Sequence, residues 1–197
     1  MNRRRPSRNT PLRGWFLWTS GFLALPLAGL TGSILVGRVD GPGAALAGGT
    51  LAGLIIGTGQ TLTSTRRLQA RRWIPATGIG LGAGVFLGAS AVAYRTSLAD
   101  LALMGAVTGA ALGTAQALAL PRHARRRWFW GVAMPVLWAA GWTVTTILQV
   151  RVDQQFIVFG ASGALVVTAI SGLLLQTLLP VPVSGRQHDA LSSTADA

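Results

Sequence analysis

The sequence contains no cysteine, no lysine and no glutamate. Without cysteine it can form no disulfide, no thiolate metal site and no thiol nucleophile, and its redox compartment leaves no trace in the chain. Without lysine, a phosphate-cradling loop of the kind that needs a lysine is excluded. Histidine is scarce: His123 falls in a basic loop and His188 in the C-terminal tail, so no histidine–carboxylate metal site can assemble within the apolar part of the chain. Charge is scarce too, at 11% of residues, and one-sided, with 17 arginines against five aspartates. Intramembrane enzymes and proton-coupled carriers place ionisable groups inside the bilayer. Here the apolar cores hold no Glu, Lys, Arg or His, and Asp100 lies at the end of one of them. Hydroxyls are plentiful but lack a general base beside them. The expectation is a non-enzymatic chain with no cofactor and no metal.

What the chain has is apolar length. Half of its 197 residues are hydrophobic and its mean hydropathy is +0.49, values that point to a membrane rather than to water. The pI near 12 does not mark a nucleic-acid binder, because the arginines stand in short clusters between apolar runs and not along one polar face. Exclusive use of Arg and Asp, with abundant Ala and Gly, reads as the product of a GC-rich bacterial genome.

Six stretches, near 15–37, 43–65, 73–94, 98–120, 128–150 and 155–180, are each long enough to cross about 30 Å of hydrocarbon as a helix rising about 1.5 Å per residue. They are continuously apolar without dyad alternation, which predicts helices and not barrel strands. Fourteen of the arginines lie on one side of this arrangement: Arg3, Arg4, Arg5, Arg8 and Arg13, then Arg66, Arg67, Arg71 and Arg72, then Arg122, Arg125, Arg126 and Arg127, and Arg186. Arg38, Arg95 and Arg151 lie on the other, each followed by an aspartate. The positive-inside rule then puts both termini in the cytoplasm of a bacterial inner membrane. Trp15, Trp18, Trp73, Trp128 and Trp130 fall at the expected cytoplasmic ends, where indoles sit at headgroup level. The basic start followed by an apolar run is expected to be retained as a span and not cleaved as a signal, because the run is too long.

The same set of residues occurs three times. Arg13, Trp15, Arg38, Asp40 and Gln60 are followed by Arg72, Trp73, Arg95, Asp100 and Gln116, and these by Arg127, Trp128, Arg151, Asp153 and Gln176. Between the second and fourth stretches the match is residue for residue at an offset of 56, and includes Gly49, Gly53, Gly57 and Gln60 against Gly105, Gly109, Gly113 and Gln116. The predicted fold is therefore all-α and integral to the membrane. It comprises a basic tail over 1–12, three degenerate helical hairpins over 13–66, 71–122 and 126–180, and a disordered cytoplasmic tail over 181–197.

Glycine at every fourth position makes a smooth strip on one helix face, so that a neighbouring backbone can approach closely. Gly80, Gly84 and Gly88 repeat the device in the third stretch, and spans two, three and four are expected to pack tightly. Gln60, Gln116 and Gln176 are the polar layer within the membrane. One reading makes them interhelical hydrogen bonds; the other makes them a ring of three amides able to bind a polar solute. The Arg–Asp pairs divide in the same way, between holding the outer turns and forming an anion site. Pro26 and Pro135 are expected to kink their spans, and Trp138 and Trp142 to pack against helices or lipid. The cytoplasmic arginines Arg66, Arg67, Arg71, Arg72, Arg122, Arg125, Arg126 and Arg127 are expected to meet anionic lipid headgroups.

Three hairpins resemble the plan of mitochondrial carriers, but that family's Pro-x-acid-x-x-basic signature has no counterpart here and no residue role carries over. In span count the chain also resembles small solute-binding subunits of multi-part bacterial importers. The functional expectation is a structural, interaction or accessory membrane subunit, with a protein partner or a second copy bound through glycine-lined faces and no nucleic acid. The alternative is a small-solute transporter or solute-binding subunit that uses the glutamine layer.

Overall fold

A computed structural model of the chain describes residues 10–122, 124, 126–148 and 157–179. The arginines of 1–9, His123, Arg125, Arg151, Asp153 and the tail over 181–197 lie outside the described residues. Seven α-helices are present among the described residues: α1 Thr10–Ser20, α2 Ala24–Leu35, α3 Pro42–Thr63, α4 Ala70–Ala91, α5 Leu98–Ala119, α6 Trp128–Ile147 and α7 Ala161–Leu178. No strand occurs among these residues.

Helix starts and stops follow local chemistry. Pro42 stands in the first turn of α3, where its missing N–H costs nothing. Ser97 caps α5, its Oγ accepting the Asp100 backbone N–H at 3.2 Å and donating to Asp100 Oδ2 at 2.6 Å. Beyond α2 the chain leaves the helix through Gly37 at φ 85°, whose N–H reaches back five residues to the Gly32 carbonyl. Beyond α4 it does so through Tyr94 at φ 59°, whose N–H reaches back five residues to Ala89.

α1 and α2 form one continuous helical span, Pro11–Leu35, interrupted only by a 3-10 turn at Gly21–Leu23. Pro26 explains the interruption. It has no N–H for the Phe22 carbonyl, and its ring crowds that carbonyl, so the preceding turn tightens. Five helical stretches are long and apolar enough to cross a membrane: Pro11–Leu35, α3, α4, α5 and α7. This is the pattern of a multi-pass membrane protein. The sequence predicts six such stretches, and the shortfall is α6. It is 20 residues long, but with four tryptophans, Pro135 and three threonines it falls short of the hydropathy the other five reach. α7 also starts later than the predicted 155, because Ile157, Val158 and Phe159 turn into the bundle and are buried there.

Each helix packs on its sequence neighbour from α2 through α7, and α1 packs on α7, which closes the bundle. Three of these contacts run through glycine. A Cβ added at Gly49 would come 2.9 Å from Gly82 Cα and from the Leu81 carbonyl oxygen, which shows how closely α3 and α4 approach. Gly84 and Gly88 similarly face the Thr108 and Met104 carbonyls of α5, at 2.8 and 2.7 Å. Gly105 and Gly109 face the Trp138 and Met134 carbonyls of α6, and Gly113 faces Gly131. That register runs antiparallel along most of α5 and α6. At the end of the bundle away from the arginine clusters, Ile157 fills the space over Gly32 and Gly48. Phe159 meets Trp138 and Trp142 edge-on, at centroid distances of 4.9 and 6.0 Å.

Candidate functional site

A cluster of buried and half-buried polar side chains lies near the basic end of the bundle, where α3 turns into α4 and α5 into α6. Gln60 stands one turn before the end of α3 and Trp73 one turn into α4, so the short loop between the helices brings them face to face. Trp73 Nε1 donates to Gln60 Oε1 at 2.8 Å. The next pair of helices repeats the arrangement: Trp130 Nε1 donates to Gln116 Oε1 at 2.9 Å. Gln116 Nε2 joins the two pairs, donating to Thr77 Oγ1 at 3.1 Å and to Gln60 Oε1 at 3.3 Å. Thr77 in turn donates to the Trp73 carbonyl at 2.8 Å.

The polarity of this network follows from its members. An indole N–H can only donate, so each glutamine must turn its carbonyl oxygen to its tryptophan. Gln116 then has only its amide nitrogen left for Thr77 and Gln60. Gln116 is 1% exposed, and both of its amide atoms are spent on protein partners.

Of the two readings of the glutamines, the ring of three amides does not form. Gln60 and Gln116 meet, but Gln176 is half-buried on α7 and hydrogen-bonds to neither. The 56-residue offset from Gln116 leads not to Gln176 but to Gly172. A Cβ added at Gly172 would lie 2.7 Å from Trp18 Cδ1 and 3.1 Å from Trp15 Cδ1. The indole therefore occupies the room that an amide side chain fills elsewhere. Its N–H is satisfied one residue earlier, with Trp18 Nε1 donating to Ser171 Oγ at 3.1 Å, and Trp15 Nε1 donates to the Ala169 carbonyl at 2.8 Å.

Three of the five tryptophans expected at headgroup level turn into the bundle instead. Of those expected at headgroup level, Trp128 is exposed and Trp15 half-buried, whereas Trp18, Trp73 and Trp130 are no more than 2% exposed. Trp130 meets Trp73 and Trp18 edge-to-face, at centroid distances of 5.8 and 6.1 Å. Such pairs contribute about 0.5–1.5 kcal/mol each beyond area burial. The usable signal lay in the spacing: Trp73 follows Gln60 by 13 residues and Trp130 follows Gln116 by 14.

The charged groups lie outside this network. Arg95 pairs with Asp100 at 3.0 Å, and the hydrogen bond and opposite charge hold its guanidinium above the ordinary arginine pKa. Arg38 is exposed, at the same end of the bundle. At the basic end Arg67 is half-buried, with its guanidinium against Gly14 of α1, and burial pushes its pKa down. Arg66, Arg71, Arg72, Arg122 and Arg126 are exposed and Arg127 is half-buried, with its guanidinium 5.6 Å from the Trp128 ring centroid. Among the described residues no group of three His, Cys, Asp or Glu side chains comes together as a metal site. Comparison with protein families, curated proteins and solved structures finds no match to this chain.

Proposed function

We propose that this chain is a non-enzymatic scaffold or accessory subunit of a bacterial inner membrane, in which the glutamine layer serves to lock helices together. The observation that carries this reading is the closure of the network: the Gln116 amide is fully engaged by Trp130, Thr77 and Gln60 in a buried setting. A binding group for a passing solute would need an amide free to exchange partners. The glycine ladders expected to receive a partner are occupied by neighbouring helices of the same chain. A partner subunit or second copy therefore docks on the outer faces.

In this reading α6 is a sixth span. It runs antiparallel to α5 over most of its length, and three of its four tryptophans are buried in the bundle. Six spans place both termini on the cytoplasmic side, the arginine-rich one. The three Trp-to-polar contacts, on Gln60, Gln116 and Ser171, are the repeated feature of a degenerate threefold bundle whose third unit joins α7 to α1 without a loop.

The test is reconstitution. The purified chain in liposomes is expected to pass small neutral polar solutes no faster than empty liposomes, and native mass spectrometry of gently solubilised membranes is expected to show a stoichiometric complex that Gln60→Leu leaves intact. Solute flux abolished by Gln60→Leu with Gln116→Leu, in protein that still folds, would replace this reading with a transporter.

A further inference from the structure

The basic end carries more than diffuse charge. Between α4 and α5 a cleft of about 600 Å³ opens to the outside of the bundle, with Arg72, Arg122 and Arg127 at its basic end. Its apolar wall includes Ala76, Ile79 and Leu118. Small side chains create the cleft: α4 and α5 touch through Gly80 and Ala115, so little projects between them. Ile79 and Leu118 are 69% and 59% exposed and form its apolar lips.

We propose that this cleft holds one anionic phospholipid, its phosphate bound by Arg72, Arg122 and Arg127 and an acyl chain lying along Ala76, Ile79 and Leu118. Charge and shape both select this occupant. Three arginines line one cleft, and among the described residues no carboxylate lines it. Asp40 and Asp100, the carboxylates among the described residues, sit at the opposite end of the bundle, before α3 and in the first turn of α5. Guanidiniums gathered without a counter-charge repel one another, and a phosphate relieves that repulsion while accepting charge-assisted hydrogen bonds. A soluble anion would explain the arginines but not the apolar wall, which continues from them along two helices long and apolar enough to cross a membrane.

The experiment uses the full chain in phosphatidylcholine nanodiscs doped with phosphatidylglycerol, with retained lipid counted by native mass spectrometry. One phosphatidylglycerol per chain is expected to remain bound. The variant R72Q/R122Q/R127Q should bind it about tenfold or more weakly, while R13Q/R66Q/R71Q, which removes the same charge outside the cleft, should stay within about twofold. A76W, which fills the apolar part without altering charge, should also lose the lipid. Equal weakening by the two triple variants would reduce the effect to diffuse attraction and overturn the proposal. So would unchanged binding in A76W, or full displacement by soluble glycerol phosphate, which would make the cleft a site for the headgroup alone.

Discussion

Gln116 illustrates how one side chain can hold several helices. It lies on α5, its partners on α3, α4 and α6, and it is almost wholly buried. Replacing it with leucine leaves the Trp130 N–H facing an apolar side chain, and an unsatisfied buried donor costs about 1–3 kcal/mol. Gln116→Leu is therefore expected to destabilise the protein by about that amount in detergent-based equilibrium unfolding. Gln176→Leu, outside the network, should change stability by no more than about 0.5 kcal/mol. If the two variants lost equal stability, the network would not be the source of the effect.

At the scale of helices, backbone contact takes the place of side-chain interdigitation. Lipid offers apolar surface as good as leucine, so helices in a bilayer gain by association only where they approach more closely than lipid tails could, and the α5–α6 contact is that close. Gly109 sits where an added Cβ would run into the Met134 carbonyl and come 2.8 Å from Pro135 Cα. Backbone cannot yield as a flexible side chain does, so Gly109→Ala is expected to destabilise by about 1–3 kcal/mol. Gly131, on the facing helix, has its nearest neighbour at 3.6 Å. Gly131→Ala should therefore be neutral or stabilise by up to about 1 kcal/mol, through helix propensity. Parallel unfolding curves for the two variants distinguish a packing requirement from a general intolerance of Cβ.

For the whole molecule, α6 sets the parity of crossings. If α6 crosses the bilayer, the number of spans is even and the two ends of the chain lie on the same side; if it does not, they lie on opposite sides. Fusions of green fluorescent protein and of alkaline phosphatase to each end read this directly, since the first fluoresces when left in the cytoplasm and the second is active only when exported. Fluorescence without phosphatase activity is expected at both ends. Opposite results at the two ends would remove α6 from the membrane and with it the six-span reading. The packing of α1 on α7 bears on the same question, because it holds the two terminal spans together through Trp15 and Trp18.

Long uncharged runs without dyad alternation determined that this chain is helical and suited to a membrane, because such runs satisfy their backbone in hydrocarbon as helices and not as barrel strands. The order of residues marks most helix ends, through Pro, Gly and the arginine clusters, and places Gln60 and Gln116 near helix ends as the polar groups of apolar stretches. It could not determine which way the tryptophans face. An indole at a helix end suits the headgroup layer and a buried hydrogen bond equally well, and only the loop geometry that sets Trp73 against Gln60 and Trp130 against Gln116 chose burial. Spacing marks the third glutamine as out of register, since the 56-residue offset from Gln116 falls on Gly172, but not what takes its place. In the third unit Gly172 leaves room for Trp18, and Ser171 accepts its proton. That substitution is visible only once α7 and α1, far apart in sequence, are seen side by side. Contacts between distant segments belong to the tertiary structure, because local patterns constrain a helix's faces without stating what meets them.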